Sequence, residues 1–259
     1  MKRLGLIAAL LFTMAGTAEA AKCGNTGAGF ESWKKAFAAE AETNGVGSKG
    51  IKALEATSYA AATIKADRNQ KSFKLTLEQF MEKRGAATII AQGKKQKAKN
   101  ARLFAALERK YGVSAGPLIA IWGMETAFGA YMGNQNTVSA VATLAYDCRR
   151  TEFFSEQLIS ALKLVDKGVL SSSSKGAMHG ELGQTQFLPK NVFLYGADGD
   201  GGGINLNNKA DALASTARFL NGHGFPGGGP YSGGDFAGWN AASVYQEALA
   251  IMANNIDGH

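Results

Sequence analysis

The chain has 259 residues and a formal net charge of +7 at pH 7, from 28 lysine and arginine residues against 21 acidic ones. The basic balance suits an anionic partner such as a cell-wall polymer, a membrane surface or a nucleic acid, or simply a solvated surface, and charge alone does not choose among them. Only two cysteines and three widely separated histidines are present. This composition, without a CxxC motif, argues against a zinc site and against a cysteine–histidine nucleophile.

The first twenty residues have the pattern of a secretory signal peptide. Lys2 and Arg3 form a positive start, residues 4–14 form an apolar run that is short for a membrane span, and residues 18–20 form a small-x-small cleavage signal. A membrane anchor is the alternative. Removal of residues 1–20 leaves 239 residues with 26 basic and 20 acidic side chains, a net charge of +6. We therefore expect an exported protein without a stable membrane anchor.

The two cysteines are Cys23 and Cys148. In an oxidising compartment an even count of two favours one disulfide, which would join the mature N-terminus to a segment beyond residue 129. Two buried free thiols are the alternative.

Helical periodicity dominates the chain, and no convincing run of alternating strands is present. Aromatic and aliphatic side chains recur on one face in residues 30–37, 73–80 and 103–111, and residues 137–168 read as two further helices. We expect a mainly α-helical architecture.

One carboxylate occupies an unusual place in this pattern. Leu118, Ile121, Trp122, Glu125 and Phe128 recur at helical spacing, so Glu125 lies within an apolar stripe and has no lysine or arginine within one helical turn. Partial removal from water should raise its pKa, which suits a general acid near neutral pH. Ser114 is the expected N-cap of this helix, and Gly129 and Gly133 are expected to end it.

Two glycine-rich loops follow. Residues 180–189 combine two glycines, two glutamines and a closing proline, which is typical of a turn that presents amide groups to a ligand. The loop that begins at Asp198 resembles the start of a calcium loop, but its fifth position is Gly202 and its twelfth is Lys209. Both should be oxygen ligands, so we expect no metal there.

Three motifs occur in order: AIWGMETAFG at residues 120–129, ATLAY at residues 142–146 followed by Arg149 and Arg150, and GQTQFLP at residues 183–189. Together they resemble the membrane-bound lytic murein transglycosylase B family, and the similarity extends from about Phe30 to the C-terminus. The resemblance implies a lysozyme-like helical core with a cleft for peptidoglycan glycan strands, a preceding helical segment, and no cofactor.

The resemblance also implies a reaction. Members of this family cleave the β-1,4 bond between N-acetylmuramic acid and N-acetylglucosamine without water and leave a 1,6-anhydro end. Glu125 occupies the catalytic position, first as acid and then as base. Substrate-binding roles are implied for five further residues: Gln186, Asn240, Trp239, Tyr245 and Tyr146. For Trp239 and Tyr245, ordinary core packing is the alternative.

Two other functions stay open. Hydrolytic glycosidases use a second carboxylate, and Glu181 is the nearest candidate for a goose-type lysozyme-like hydrolase, although it could also simply fix its loop. A non-catalytic wall-binding module is the other alternative. We expect a periplasmic monomer that binds no nucleic acid, divided into a signal peptide (residues 1–20), an N-terminal helical region (residues 21–112) and a catalytic core (residues 113–259).

Overall fold

The computed structural model describes residues 21–69 and 75–259. Twelve α-helices account for most of these residues, which confirms the predicted mainly α-helical fold. The predicted signal peptide lies outside the described residues. Among the helices that the structure describes, none is both long and apolar enough to cross a membrane.

Six helices precede the one that carries Glu125. They are α1 (Phe30–Thr43), α2 (Ser48–Glu55), α3 (Ala61–Arg68), α4 (Leu77–Lys83), α5 (Ala86–Lys99) and α6 (Ala101–Tyr111). The helix that carries Glu125 is α7 (Ala115–Thr126). Five more follow it: α8 (Thr137–Tyr146), α9 (Thr151–Asp166), α10 (Pro189–Tyr195), α11 (Lys209–Gly222) and α12 (Ser243–Asp257).

A small antiparallel pair of strands joins two loops near the end of α7. Strand β1 (Gln135–Asn136) pairs with strand β2 (Lys175–Gly176), and Gln135 lies opposite Gly176. Each strand has only two residues, which is too short for an alternating pattern to be recognised in the sequence. The pair fixes the loop after α7 against the loop that leads to Glu181.

The apolar side chains form two clusters. One joins α1, α2 and α3 to α8 and α9, and the other joins α4, α5, α6 and α7 to α10, α11 and α12. The first three helices therefore pack on elements from beyond residue 112. The division into residues 21–112 and 113–259 stays a prediction.

Helix α7 lies at the centre of the second cluster. Every residue from Ala115 to Met124 is buried, so the helix is enclosed on all sides and not only along the predicted stripe. It packs extensively against α12. Burial of one large aliphatic side chain stabilises a fold by about 1.5–3 kcal/mol, and this helix contributes several. Its last turn is thereby held in a rigid setting.

The start of α7 agrees with the prediction only in part. Ser114 is the N-cap residue, but its side chain makes no capping hydrogen bond. Its Oγ donates to Asp257 Oδ2 at 2.5 Å, and the backbone N–H of Gly116 donates to both Asp257 oxygens at 3.0 Å. A carboxylate from the end of α12 therefore satisfies the amide that the sequence pattern assigned to Ser114.

The end of α7 differs from the prediction. The helix stops at Thr126, three residues before Gly129, because Ala127 already adopts a left-handed conformation with φ of 47°. Phe128 follows with φ of 62°, and Gly129 with φ of 86°. Two successive non-glycine residues in this region store strain, which is common beside functional sites. The turn carries the chain away immediately after Glu125.

The predicted disulfide is present. Cys23 and Cys148 are bonded, with a Cα–Cα distance of 5.0 Å across a sequence separation of 125 residues. The bond joins the segment before α1 to the segment after α8.

Candidate active site

A cleft of about 300 Å³ opens beside the end of α7. It brings together four of the six sequence-predicted catalytic and substrate-binding residues: Glu125, Gln186, Trp239 and Asn240. Glu181, Phe187 and Asn191 also line it. A pocket with carboxylate, amide and aromatic groups on the same wall offers hydrogen bonds and ring faces together, as a sugar ligand requires.

Glu125 is held in this cleft by two donors from the C-terminal part of the chain. Tyr245 Oη donates to Glu125 Oε1 at 2.5 Å, and Trp239 Nε1 donates to the same oxygen at 3.2 Å. Tyr245 lies in the first turn of α12, whereas Trp239 precedes that helix. Helix α12 begins at Ser243, so both Trp239 and Asn240 lie in the segment that leads into it.

The pKa of Glu125 is raised above its ordinary value. Burial is the main cause, since α7 is enclosed by apolar side chains, and the negative charge of Glu181 acts in the same direction. The hydrogen bonds from Tyr245 and Trp239 and the positive charge of Arg84 act in the opposite direction but do not outweigh burial. Burial and the Glu125 carboxyl also raise the pKa of Tyr245 well above its ordinary value, so Tyr245 stays a donor.

Arg84 is a residue of the site that the sequence did not reveal. Its Nη2 donates to the backbone oxygen of Met124 at 2.8 Å. It follows α4, and no pattern in the sequence links α4 to α7. Helix packing alone brings this positive charge near Glu125.

The glutamine loop closes against α7 through Gln184, a second residue that the sequence did not single out. Trp122 Nε1 donates to Gln184 Oε1 at 2.8 Å, and Thr126 Oγ1 donates to the backbone oxygen of Gln184 at 2.6 Å. A Cβ at Gly129 would lie 2.6 Å from Gln184 Oε1, and the φ of 86° at this position also favours glycine. The two motifs at residues 120–129 and 183–189 thus form one unit.

Gln186 stands at a strained position in that loop. Its φ is 57°, and its Nε2 donates to the backbone oxygen of Gly183 at 2.9 Å. Leu182 and Phe187 are paired by two backbone hydrogen bonds of 2.8 and 3.0 Å. The tight turn directs Gln186 toward the wall of the cleft that it shares with Glu125.

Trp239 and Asn240 also line the cleft. The ring of Trp239 packs edge-on against Phe187 and Phe219, with centroid distances of 5.3 and 5.4 Å. Asn240 Oδ1 accepts from the backbone N–H of Ala242 at 2.9 Å. The Asn240 amide group is thereby oriented beside the cleft, and its NH₂ is the part that can donate to a ligand.

Glu181 is a second carboxylate of the cleft and differs from Glu125 in its surroundings. Its Oε2 accepts from the backbone N–H of His179 at 2.9 Å, and its Oε1 lies 3.2 Å from His179 Nδ1. Burial acts to raise the pKa of Glu181, but the hydrogen bonds and charge of His179 outweigh it, so the pKa is below its ordinary value. Glu181 is therefore ionised near neutral pH.

Tyr146 lies elsewhere. It is buried in the first apolar cluster, where its ring contacts Phe30 and Trp33 at centroid distances of 5.6 Å. It lines a separate pocket near Cys23 and not the cleft of Glu125. A sugar-binding role for Tyr146 stays a prediction, and the structure does not bring this residue to the other predicted ones.

The Asp198 loop lies outside the cleft. Asp198, Asp200 and Asp211 place carboxylate oxygens within 4.8 Å of one another. Backbone hydrogen bonds from Gly203 and Gly201 lower the pKa of Asp198. Asp211 is fully buried and accepts from two backbone N–H groups. Backbone N–H groups thus supply hydrogen bonds to these carboxylates. The expected absence of a metal stays a prediction.

The chain is similar to known transglycosylases. A family model described as "Transglycosylase SLT domain" matches residues 29–233. Membrane-bound lytic murein transglycosylase B of Escherichia coli (strain K12) is 36% identical over 118 residues, which are 44% of this chain and 33% of that protein. The matched segment thus spans about a third of this curated relative.

Solved structures extend the similarity to the fold. SltB3 from Pseudomonas aeruginosa, in complex with NAG-anhNAM-pentapeptide, is 28% identical and has a TM-score of 0.80, with 88% of this chain and 80% of that chain covered. SltB1 from the same organism has a TM-score of 0.78 at 20% identity, with 87% and 98% covered, and supports the fold alone. The lysozyme-like fold expected from the sequence is thereby confirmed.

Proposed function

The chain belongs to the transglycosylase SLT domain family, and on that premise we propose that it is a lytic transglycosylase of peptidoglycan. It cleaves the β-1,4 bond between N-acetylmuramic acid and N-acetylglucosamine and leaves a 1,6-anhydro end. The observation that carries the proposal is a largely buried carboxyl group, Glu125, on the wall of a cleft, with a pKa raised by burial. Such a group keeps a proton that it can give to a leaving oxygen.

The reaction needs one acid that also serves as a base. Protonated Glu125 gives its proton to the glycosidic oxygen as the bond from that oxygen to C1 breaks. The C6 hydroxyl oxygen of the muramic sugar then bonds to C1, and its proton passes to the Glu125 carboxylate. One bond to C1 is lost and one is gained, no water is consumed, and Glu125 returns to its protonated form.

The hydrogen bonds to Glu125 support this role. Tyr245 and Trp239 both donate to Oε1, so Oε1 is the acceptor oxygen of the carboxyl group. The proton of the neutral acid then resides on Oε2, which is the oxygen left to deliver it. Arg84 adds a nearby positive charge that stabilises the carboxylate once the proton has left.

The cleft walls indicate how the sugar is held. Gln186 and Asn240 offer amide groups and Trp239 a ring beside Glu125, which together fit an N-acetylated sugar. Structures of SltB3 at 27–28% identity contain NAG-anhNAM-pentapeptide or NAG-NAM-pentapeptide. We extend that ligand class to this chain.

The cellular setting follows from the same proposal. Peptidoglycan lies outside the cytoplasmic membrane, and the Cys23–Cys148 disulfide fits an oxidising compartment. We propose that the protein acts in the periplasm as a monomer.

Product analysis tests the function. Purified protein is incubated with peptidoglycan, and the released muropeptides are identified by mass spectrometry. We expect anhydro products, which are lighter than hydrolytic products by one water. Glu125→Gln is the inactive comparison, and Glu247→Gln, an exposed carboxylate on α12, is the matched control. Absence of turnover in wild type and Glu125→Gln, with equal glycan binding, would instead identify a wall-binding module.

One observation favours a second candidate function. Glu181 lies in the same cleft as Glu125 and is ionised, as the base of a hydrolytic glycosidase must be. A goose-type lysozyme-like hydrolase would use it to activate a water. Muramic acid with a free reducing end, in place of the anhydro sugar, would support the hydrolase.

A further inference from the structure

Glu181 has no task in the reaction written above. A carboxylate on the wall of a reaction cleft is costly, because partial burial disfavours its charge. A side chain that only closed a turn could do so as a glutamine or serine. Glu181 nonetheless keeps about a quarter of its side chain exposed beside Glu125, and its charge is strong enough there to influence the Glu125 carboxyl.

The position of the Glu181 carboxylate is fixed by His179. Both Glu181 oxygens are engaged, one by the backbone N–H and one by the ring Nδ1 of the same residue. An ionised carboxylate can only accept, so the ring carries its proton on Nδ1 in this contact. Two anchors on one carboxylate leave it a single orientation.

A buried aspartate lies near the other ring nitrogen of His179. His179 Nε2 lies 3.9 Å from Asp67 Oδ1, at the end of α3. Asp67 is 2% exposed and forms ion pairs with Arg149 and Arg150, which lie beyond α8. The three residues Asp67, His179 and Glu181, named here the acidic relay, thus extend from the end of α3 to the cleft.

Two features of the acidic relay distinguish it from ordinary loop packing. It links elements that are far apart in the sequence, and it ends on a charged group that lines the cleft. The Asp67 carboxylate is neutralised by two arginines, whereas the Glu181 carboxylate has no such partner among the ion pairs of the described residues other than His179. Its negative charge is therefore available to a ligand.

We propose that Glu181 is a second catalytic carboxylate, which stabilises the positive charge that develops on the sugar ring as the glycosidic bond breaks. His179 is the positioning residue that holds it there. Glycoside cleavage passes through an oxocarbenium-like transition state, and a fixed negative charge in a water-poor site stabilises such a charge strongly. Glu181 makes no covalent bond and transfers no proton in this role, so the bond changes at C1 are those already given.

This inference rests on the proposed function and adds an electrostatic partner to Glu125. The lower pKa of Glu181 and the higher pKa of Glu125 agree with it, because one group must be charged while the other is protonated.

The first test is Glu181→Gln, which removes the charge and keeps the shape. We expect the turnover of peptidoglycan to fall about 10- to 100-fold, which is at or below the lower end of the range for removal of one electrostatic contact to a transition state, because Glu181 is partly exposed. Sedimentation with insoluble peptidoglycan should change less than about threefold. The products should stay anhydro. Glu152→Gln, an exposed carboxylate on α9, is the matched control and should behave as wild type.

The second test separates positioning from structure. His179→Leu removes the Nδ1 donor, whereas His179→Asn places an amide NH₂ near the same point. We expect His179→Leu to lose most of the turnover that Glu181→Gln loses, and His179→Asn to recover at least half of that loss on a logarithmic scale. In the double variant with Glu181→Gln, His179→Leu should cause no further loss, because its effect acts through Glu181.

Three results would overturn the proposal. They are turnover of a folded Glu181→Gln within twofold of wild type, equal turnover of the two His179 variants, and fully additive losses in the double variant. The His179 pair decides the question if Glu181→Gln does not fold. The wild-type product is identified in the same samples. A hydrolytic product would refute the transglycosylase function, whereas an anhydro product with unchanged Glu181→Gln turnover would refute only the role of Glu181.

Discussion

The two carboxylates of the cleft have the same chemistry and opposite environments. Glu125 ends a helix that is buried on all sides, and burial raises its pKa. Glu181 follows a turn and receives two hydrogen bonds from His179, which lower its pKa despite burial. The comparison teaches that the element that carries a glutamate, and not the glutamate itself, decides whether it serves as acid or as fixed charge.

Removal of the acid should have the largest effect. Glu125→Gln keeps an acceptor for Tyr245 and Trp239 but carries no proton to donate. We expect turnover to fall about 10²- to 10⁴-fold, the range typical of a general acid. The measurement is the release of soluble muropeptides. Retention of more than a tenth of the wild-type rate would mean that another residue supplies the proton.

Removal of the Tyr245 donor to Glu125 should have a smaller effect on turnover and should shift the pH–rate profile in a defined direction. Tyr245→Phe deletes the 2.5 Å hydrogen bond to Oε1. That bond lowers the pKa of Glu125, so its loss should raise the pKa further, and the descending alkaline limb of the pH–rate profile should move to higher pH. Turnover at neutral pH should fall about tenfold, because a bond of this kind contributes about 1.5–3 kcal/mol. A limb that moved to lower pH would contradict the assignment.

Removal of the fixed charge should move the same limb the other way. The negative charge of Glu181 raises the pKa of Glu125. Glu181→Gln should therefore lower it, and activity should be lost at a lower pH than in wild type. Activity of the wild type should also fall on the acid side as pH drops through the lowered pKa of Glu181. The sharpest test of the comparison is that the alkaline limb should move to higher pH in Tyr245→Phe and to lower pH in Glu181→Gln. Movement of both limbs in the same direction would contradict the opposite environments of the two carboxylates.

The smallest expected effects are on stability. The folded-state pKa of Glu125 is raised, so ionisation destabilises the fold as pH rises through that pKa, and no penalty exists at pH values where the carboxyl is protonated in both states. Glu125→Gln should thus raise the unfolding midpoint at pH 7 by on the order of 2–4 °C, and the gain should vanish near pH 4.

The ionisation of Glu181 affects stability in the opposite direction. Its folded-state pKa is lowered, so its contribution to stability is present above the pKa of the unfolded chain and is lost as pH falls through the folded pKa. Glu181→Gln should lower the unfolding midpoint at pH 7 by on the order of 2–4 °C. Thermal unfolding followed by circular dichroism measures both variants. A rise in both midpoints, or a fall in both, would contradict the environments described for the two groups.

Much of the fold could be predicted, because helices and their buried faces produce a local periodic pattern of apolar residues. The spacing of Trp122, Glu125 and Phe128 placed a carboxyl group on an apolar helix face, and the cysteine count indicated the disulfide. The stop of α7 was placed too late, because the left-handed turn at Ala127 uses residues that rarely adopt it. A local sequence pattern does not predict backbone strain that the surrounding structure imposes.

The candidate site was predicted less completely, because its contacts join distant segments. Gln186 and Asn240 were named from motifs and lie in the cleft, whereas Tyr146, named from a neighbouring motif, lies in the other apolar cluster. Arg84 and Gln184 were missed, since a single arginine or a single glutamine produces no periodic pattern in the sequence. Their roles depend on which helices and loops meet.

The sequence by itself determined the helical class and the place of Glu125 within apolar surroundings, and its cysteine count favoured one disulfide. The first two depend on residue type and short-range spacing, and the third depends only on the number of cysteines. Only the tertiary structure decided that Tyr245, 120 residues away, donates to Glu125, and that His179 holds Glu181 ionised beside it. Proton affinity is a property of burial and of partners at a few ångströms, and packing alone brings such partners together.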